Sequence, residues 1–131
     1  MLYGQGIDLV FVPEFESALK DKSHFFAQYF TREEQEYCHA QKESARSFSA
    51  RYAAKEAFLK ALDGPRLNQG QAIVFDYREV ELRTDLAGRP YLIFKGELKR
   101  YLRSLRIVRS SVSLSHTGDY SIAQVYLEIE A

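Results

Sequence analysis

Between positions 51 and 61 the chain reads Arg51-Tyr-Ala-Ala-Lys55-Glu56-Ala-Phe-Leu-Lys60-Ala61, one acid among three cations. Alanine, phenylalanine and leucine fill most of the remainder, so the stretch predicts a closely packed helix that still presents charged groups. Glu56 and Lys60 stand four residues apart, on the same side of that helix. A carboxylate among cations suits a divalent metal and the phosphates that accompany it. The same residues also make an ordinary exposed Glu-to-Lys pair, which stabilises a helix by about 0.2–0.5 kcal/mol. The helix alone does not choose between these readings.

Three other segments could join it. Gly4-Gln5-Gly6-Ile7-Asp8 puts two glycines two apart in a strand, where a backbone or a ligand can come close. Asp8 follows between Ile7 and Leu9, and an acid in a strand usually has a partner. It is read either as a solvated edge residue or as a metal ligand facing Glu56. In Ser113-Leu-Ser-His-Thr-Gly-Asp119 the hydroxyls of Ser113 and Ser115 share one strand face, and His116 starts a turn. The order is wrong for a Gly-x-Ser-x-Gly nucleophile elbow, so His116 reads as a polar clamp on a ligand or as a satisfied turn histidine. Positions 95–106 predict an amphipathic helix whose outer face carries Lys95, Lys99, Arg100, Arg103 and Arg106. Such a face is solvated or docks an acidic partner.

These groups need a scaffold. The spacing predicts a strand over 2–12, with Pro13 either ending it or opening a helix continued by Phe15, Leu19, Phe25 and Phe26. Thr31 with Glu34 three residues on forms a capping box, predicting a helix from Arg32 to about Gln41. A longer helix over 44–62 stops at Asp63-Gly64-Pro65. Strands are expected at 72–77, 79–83, 91–94, 110–115 and 121–128, with a turn over 116–120. The predicted order β-α-α-β-β-β-α-β-β means α+β, with helices packed on a mainly antiparallel sheet. The 131 residues suit a single domain over 1–131, and 46% hydrophobic residues with nine Tyr and nine Phe supply a core. Eighteen basic residues balance eighteen acidic ones, which argues against nucleic acid or a membrane surface as partner. Cys38 has no second thiol to pair with, and no signal-like or membrane-spanning run is present; a cytoplasmic location is expected.

Together the motifs resemble the 4′-phosphopantetheinyl transferases of the short, holo-acyl-carrier-protein-synthase type. Gly4, Gly6 and Asp8 match that family's Gly-x-Gly-x-Asp. Phe30, Thr31 and Glu34 match its Phe-Thr-x-x-Glu, and Arg51 to Ala61 match its longest motif unbroken. Gly88 and Pro90 match a Gly-x-Pro, and Ser113 to Thr117 a Ser-(Ile/Leu)-Ser-His-Thr. The resemblance spans almost the whole chain and implies the 4′-phosphopantetheinyl transferase fold. It implies movement of the phosphopantetheine arm of coenzyme A onto a serine of an apo acyl carrier protein, releasing adenosine 3′,5′-bisphosphate. Fatty-acid or related polyketide synthesis would be the setting. Asp8 and Glu56 would hold Mg²⁺; with Lys60 they form the implied catalytic set. Arg51, Lys55, Lys60, Gly88, Pro90, Ser113 and His116 would bind the coenzyme. The family commonly forms trimers whose active sites are shared by neighbouring subunits, so a homotrimer is expected. A non-catalytic carrier- or coenzyme-binding homologue is the alternative. The chain departs from the family pattern at Phe11, where an acid is common, and at Pro13, Glu14 and Glu16, where arginines usually grip the carrier. Lys20 and Lys22 are the only bases there, and Pro65 follows Gly64 in place of a Gly-Thr-Gly-like loop.

Overall fold

The computed structural model describes residues 1–131 apart from the side chain of Phe25, whose expected place on the first helical face lies outside the described residues. The elements run β1 (Leu2–Phe11), α1 (Val12–Asp21), α2 (Ser23–Tyr29), α3 (Arg32–His39) and α4 (Ser44–Asp63). They continue as β2 (Val80–Thr84), β3 (Pro90–Phe94), α5 (Gly96–Ser104), β4 (Ile107–Thr117) and β5 (Tyr120–Ile129). Helices pack on an antiparallel three-stranded sheet of order β1-β5-β4, beside the hairpin β2-β3, as the α+β expectation has it.

Local rules place most boundaries. Pro13 sits in the first turn of α1, where its missing N–H costs nothing. At α3 the Thr31 side chain accepts from the Glu34 N–H at 3.1 Å, and the Glu34 carboxylate accepts from the Thr31 N–H at 3.0 Å. That is the expected capping box, worth about 1 kcal/mol. The hairpin joining β4 to β5 turns on Gly118 and Asp119 alone, so His116 lies within a strand and not in the turn. Gly118 has φ +54°, which a two-residue hairpin favours.

One expected strand is absent. Residues 72–76 are extended and alternate as a strand would, with Ile73 and Phe75 turned inward and Val74 92% exposed. Among the described residues no strand pairs with them, the Ile73 N–H goes instead to the Asp63 carboxylate at 3.2 Å, and the run ends in a 3₁₀ turn at Tyr77–Glu79. Periodicity reports which face is buried; it does not report whether a ladder partner exists.

The contact between β1 and α4 decides the site. Gly4, Gly6 and Val10 share the inner face of β1 with Asp8, while Ile7, Leu9 and Phe11 face outward and are exposed. A Cβ on Gly4 would fall on the Ala61 carbonyl oxygen, and one on Gly6 on the Ala57 carbonyl oxygen. Ala53, Ala57 and Ala61 are fully buried at this seam, so small residues on both sides let strand and helix meet backbone to backbone. Gly6→Val is therefore expected to push β1 off α4 and cost about 3 kcal/mol or more in stability. An unchanged melting temperature would contradict this account of the seam.

Candidate active site

Two strand residues advance about as far as one helical turn, so each pair of steps along β1 from Gly4 meets the next turn of α4. After Gly4 and Gly6 comes Asp8, against the helix face that carries Tyr52, Glu56 and Lys60. Lys60 donates to the Ile7 carbonyl at 2.9 Å and to the Asp8 carboxylate at 3.2 Å. Burial pushes the Asp8 carboxyl above its ordinary pKa, and the lysine only partly opposes this. Glu56 accepts the Tyr29 hydroxyl at 2.8 Å, and its charge also bears on the Tyr77 phenol stacked against Tyr29. Burial raises the Tyr52 phenol, with further contributions from the charges of Glu56 and then Asp8, so both acids bear on one hydroxyl. Burial, and next the Glu56 charge, push Tyr77 up to about 12 and Tyr29 far above the phenol range.

This donor set fits Mg²⁺. Among the described residues no group of three or more His, Cys, Asp or Glu could hold a metal ion. Magnesium takes one or two carboxylates and completes its octahedron with water and phosphate oxygens, so it does not require such a cage. Asp8, its side chain 16% exposed, already holds a cationic ammonium, that of Lys60. The charge that a partly desolvated acid seeks there is positive.

A second cluster surrounds a groove of about 750 Å³ bounded by α3, α4, the β2–β3 turn and the end of β4. Lys42, Arg46, Arg51, Gly88 and His116 line it. The Arg51 guanidinium lies 4.3 Å from the Tyr37 ring centre and donates to the Ser47 hydroxyl at 3.3 Å. Its Nε is buried without a hydrogen-bond partner. An unsatisfied buried donor is costly, and an anion in the groove would relieve it. Gly88 takes φ +83° in a turn closed by Asp85, whose carboxylate accepts from the Ala87 and Arg89 N–H groups at 2.9 Å each. Pro90 opens β3 beside it.

Asp8, Glu56 and Lys60 are thus brought together, and Arg51, Gly88 and His116 meet around the groove. Ser113 is exposed on the sheet face opposite to that of His116, because strand side chains alternate. Its expected place on the coenzyme does not follow within one chain. Lys55 requires a correction. It is fully buried, and its three donors go to Glu34 at 2.7 Å, the Tyr29 carbonyl at 2.8 Å and the Tyr77 carbonyl at 2.9 Å. No N–H remains for a phosphate. Burial lowers its pKa, against the pull of Glu34. The sequence reading also passed over Lys42, just before α4, and Arg46, in its first turn, as well as the tyrosines around Glu56.

A family model for the 4′-phosphopantetheinyl transferase superfamily matches residues 4–125. The chain is 38% identical over 129 residues to the holo-[acyl-carrier-protein] synthase of Geobacter metallireducens, covering 98% of each. Against the Mycobacterium tuberculosis enzyme of that name it is 37% identical over 129 residues, covering 97% of each. Among solved structures it resembles a Chronobacterium ammoniagenes synthase–coenzyme A complex, with TM-score 0.87, 31% identity and 98% of each chain covered. The Mycobacterium tuberculosis acyl carrier protein synthase gives TM-score 0.79 and 35% identity, covering 99% of this chain and 100% of that one. The matched residues take in all of α4 and most of β1 and of the β4–β5 hairpin, and the chain belongs to the 4′-phosphopantetheinyl transferase superfamily.

Proposed function

We propose that this protein is a Mg²⁺-dependent holo-acyl-carrier-protein synthase. It would transfer the 4′-phosphopantetheine arm of coenzyme A to a serine of an apo acyl carrier protein and release adenosine 3′,5′-bisphosphate. The observation that carries this reading is the meeting of Asp8, Glu56 and Lys60 at the β1–α4 seam, in a chain nearly coextensive with synthases of that name. Asp8 and Glu56 would hold the metal, which when bound would neutralise charge developing on the pyrophosphate. Lys60, freed from Asp8, pairs with a phosphate oxygen of the donor. Arg51, Lys42, Arg46 and His116 take the nucleotide's remaining phosphate charge, and Gly88 leaves room at the adenosine end. The carrier's serine oxygen attacks the β-phosphorus, the bond to the bridging oxygen breaks, and adenosine 3′,5′-bisphosphate leaves with that oxygen. The serine proton passes to water or to a carboxylate at the seam.

The groove's lining includes neither Asp8 nor Glu56, which supports an active site shared between neighbouring copies in a homotrimer. So does the outer sheet face, where Ile7, Leu9, Phe11, Tyr120 and Tyr126 are all exposed. Phe11 and Tyr120 pack there at 5.2 Å between ring centres. We place the protein in the cytoplasm, in fatty-acid or related polyketide synthesis. The decisive experiment incubates the protein with coenzyme A, Mg²⁺ and an apo carrier, then weighs the carrier intact. A gain of one phosphopantetheine, suppressed by EDTA and restored by Mg²⁺, is expected. An unmodified carrier would refute the reading.

A further inference from the structure

Glu56 is held by Tyr29, which stacks on Tyr77, and both tyrosines are tied to the residue beside it. Tyr29 donates its hydroxyl to Oε2 at 2.8 Å, and the Tyr77 phenol lies within reach of the same carboxylate's charge. Their rings stack at 4.3 Å between centres, 21° from parallel. Tyr52, one turn before Glu56, packs on Tyr29 at 5.1 Å. Lys55 then grips the tyrosines from behind, taking the Tyr29 carbonyl at 2.8 Å and the Tyr77 carbonyl at 2.9 Å. Both tyrosines are bound through their backbones to position 55, and Tyr29 through its hydroxyl to position 56. Contacts drawn from α2 and from the turn before β2 thus meet on one step of α4.

We propose that Tyr29 and Tyr77 are positioning residues for the metal ligand Glu56, and that Lys55 sets the two tyrosines in place. The proposal rests on the reading of Glu56 as a Mg²⁺ ligand given above. A glutamate carboxylate rotates broadly about its last torsion when nothing holds it. The Tyr29 hydroxyl restricts that rotation before any ion arrives, and the Tyr77 ring stacked on it, with its phenol near the same charge, keeps Tyr29 in place. Outer partners of metal ligands act in this way, and removing one typically costs about 10–100-fold in metal affinity or activity. The assignment also gives Lys55 a task beside the metal site without contact to a phosphate.

Tyr29→Phe and Tyr77→Phe remove one hydroxyl each and keep the ring stack; the double variant removes both. Mn²⁺ titrated into the purified protein and followed by water-proton relaxation reads binding without turnover. The Mg²⁺ concentration for half-maximal transfer reads it in the reaction. About a tenfold weaker Mn²⁺ affinity is expected in each single variant and a larger loss in the double one, with a parallel rise in the Mg²⁺ requirement. A merely structural role would lower the melting temperature and leave the metal dependence where it was. Unchanged Mn²⁺ affinity in variants that melt like the wild type overturns the proposal. Tighter binding does so too, since the phenols would then be competing with the ion. Should the double variant not fold, the single variants decide. A wild-type protein that binds Mn²⁺ but modifies no carrier would sink the proposed function, while the relaxation titration would still judge the tyrosines.

Discussion

Replacing either Asp8 or Glu56 with alanine is expected to lower transfer by on the order of 10³-fold while the fold persists. A metal that polarises phosphoryl oxygens supplies several kcal/mol of transition-state stabilisation, and each factor of ten in rate is about 1.4 kcal/mol. With two protein carboxylates in the set, losing one leaves too little charge to hold Mg²⁺ against water. Stability should move differently, and Asp8 shows the sign. Burial raises its carboxyl pKa in the folded protein above the unfolded value. The stability contributed by that shift is present below the ordinary carboxylate pKa and is lost as pH rises through the raised one. At neutral pH without metal the ionised group is therefore a burden on the fold. Asp8→Asn should melt at or above the wild-type temperature at pH 7, and added Mg²⁺ should raise only the wild type. Circular-dichroism melts with a carrier mass assay test both halves. Near-normal turnover by Asp8→Ala or Glu56→Ala, or a clear drop in the melting temperature of Asp8→Asn at pH 7, would contradict the assignment.

The second large effect is on stability. Lys55 and Glu34 form an ion pair at 2.7 Å with both side chains essentially unexposed. Glu34 also accepts from the Thr31 N–H at 3.0 Å and, through its other oxygen, from the Leu82 N–H at 3.0 Å. One carboxylate thus caps α3, pairs with α4 and pins β2. Removing one partner leaves the other charge buried and uncompensated, which costs about 3–5 kcal/mol. Lys55→Met and Glu34→Leu are each expected to lower the melting temperature by about 10–20 °C. The double variant Lys55→Met/Glu34→Leu should lose much less than the sum, because no lone charge remains. Urea denaturation of the four proteins closes the cycle. A loss under about 1 kcal/mol in both single variants would show that the pair is not buried as described.

The two charged neighbours at positions 55 and 56 explain how much of the site was legible beforehand. On the sequence both look like the polar part of one helix motif, and both were read toward the ligand. In the fold they point to different surroundings, Glu56 to the seam with Asp8 and Lys55 into the space beneath the capping box. Nothing local separates them, since adjacent helix residues differ by about 100° in direction and each direction acquires meaning only from what packs there. Ser113 and His116 divide in the same manner, onto opposite faces of β4. The extended run 72–76 shows the converse, a strand-like burial pattern with no ladder.

What the chain order settled alone was local or repeated along the backbone. The Thr31–Glu34 cap, the helix at 44–62, the glycines of β1 and the ordered motifs that mark the superfamily all depend on near neighbours or on fixed spacing. Tertiary structure decided the rest: which charges are sealed in, that Tyr29 and Tyr77 converge on Glu56, and that the basic groove opens beside Arg51. Those outcomes depend on residues dozens of positions apart. A side chain's dielectric surroundings and hydrogen-bond partners come from the elements folded against it, and spacing along the chain does not carry that information.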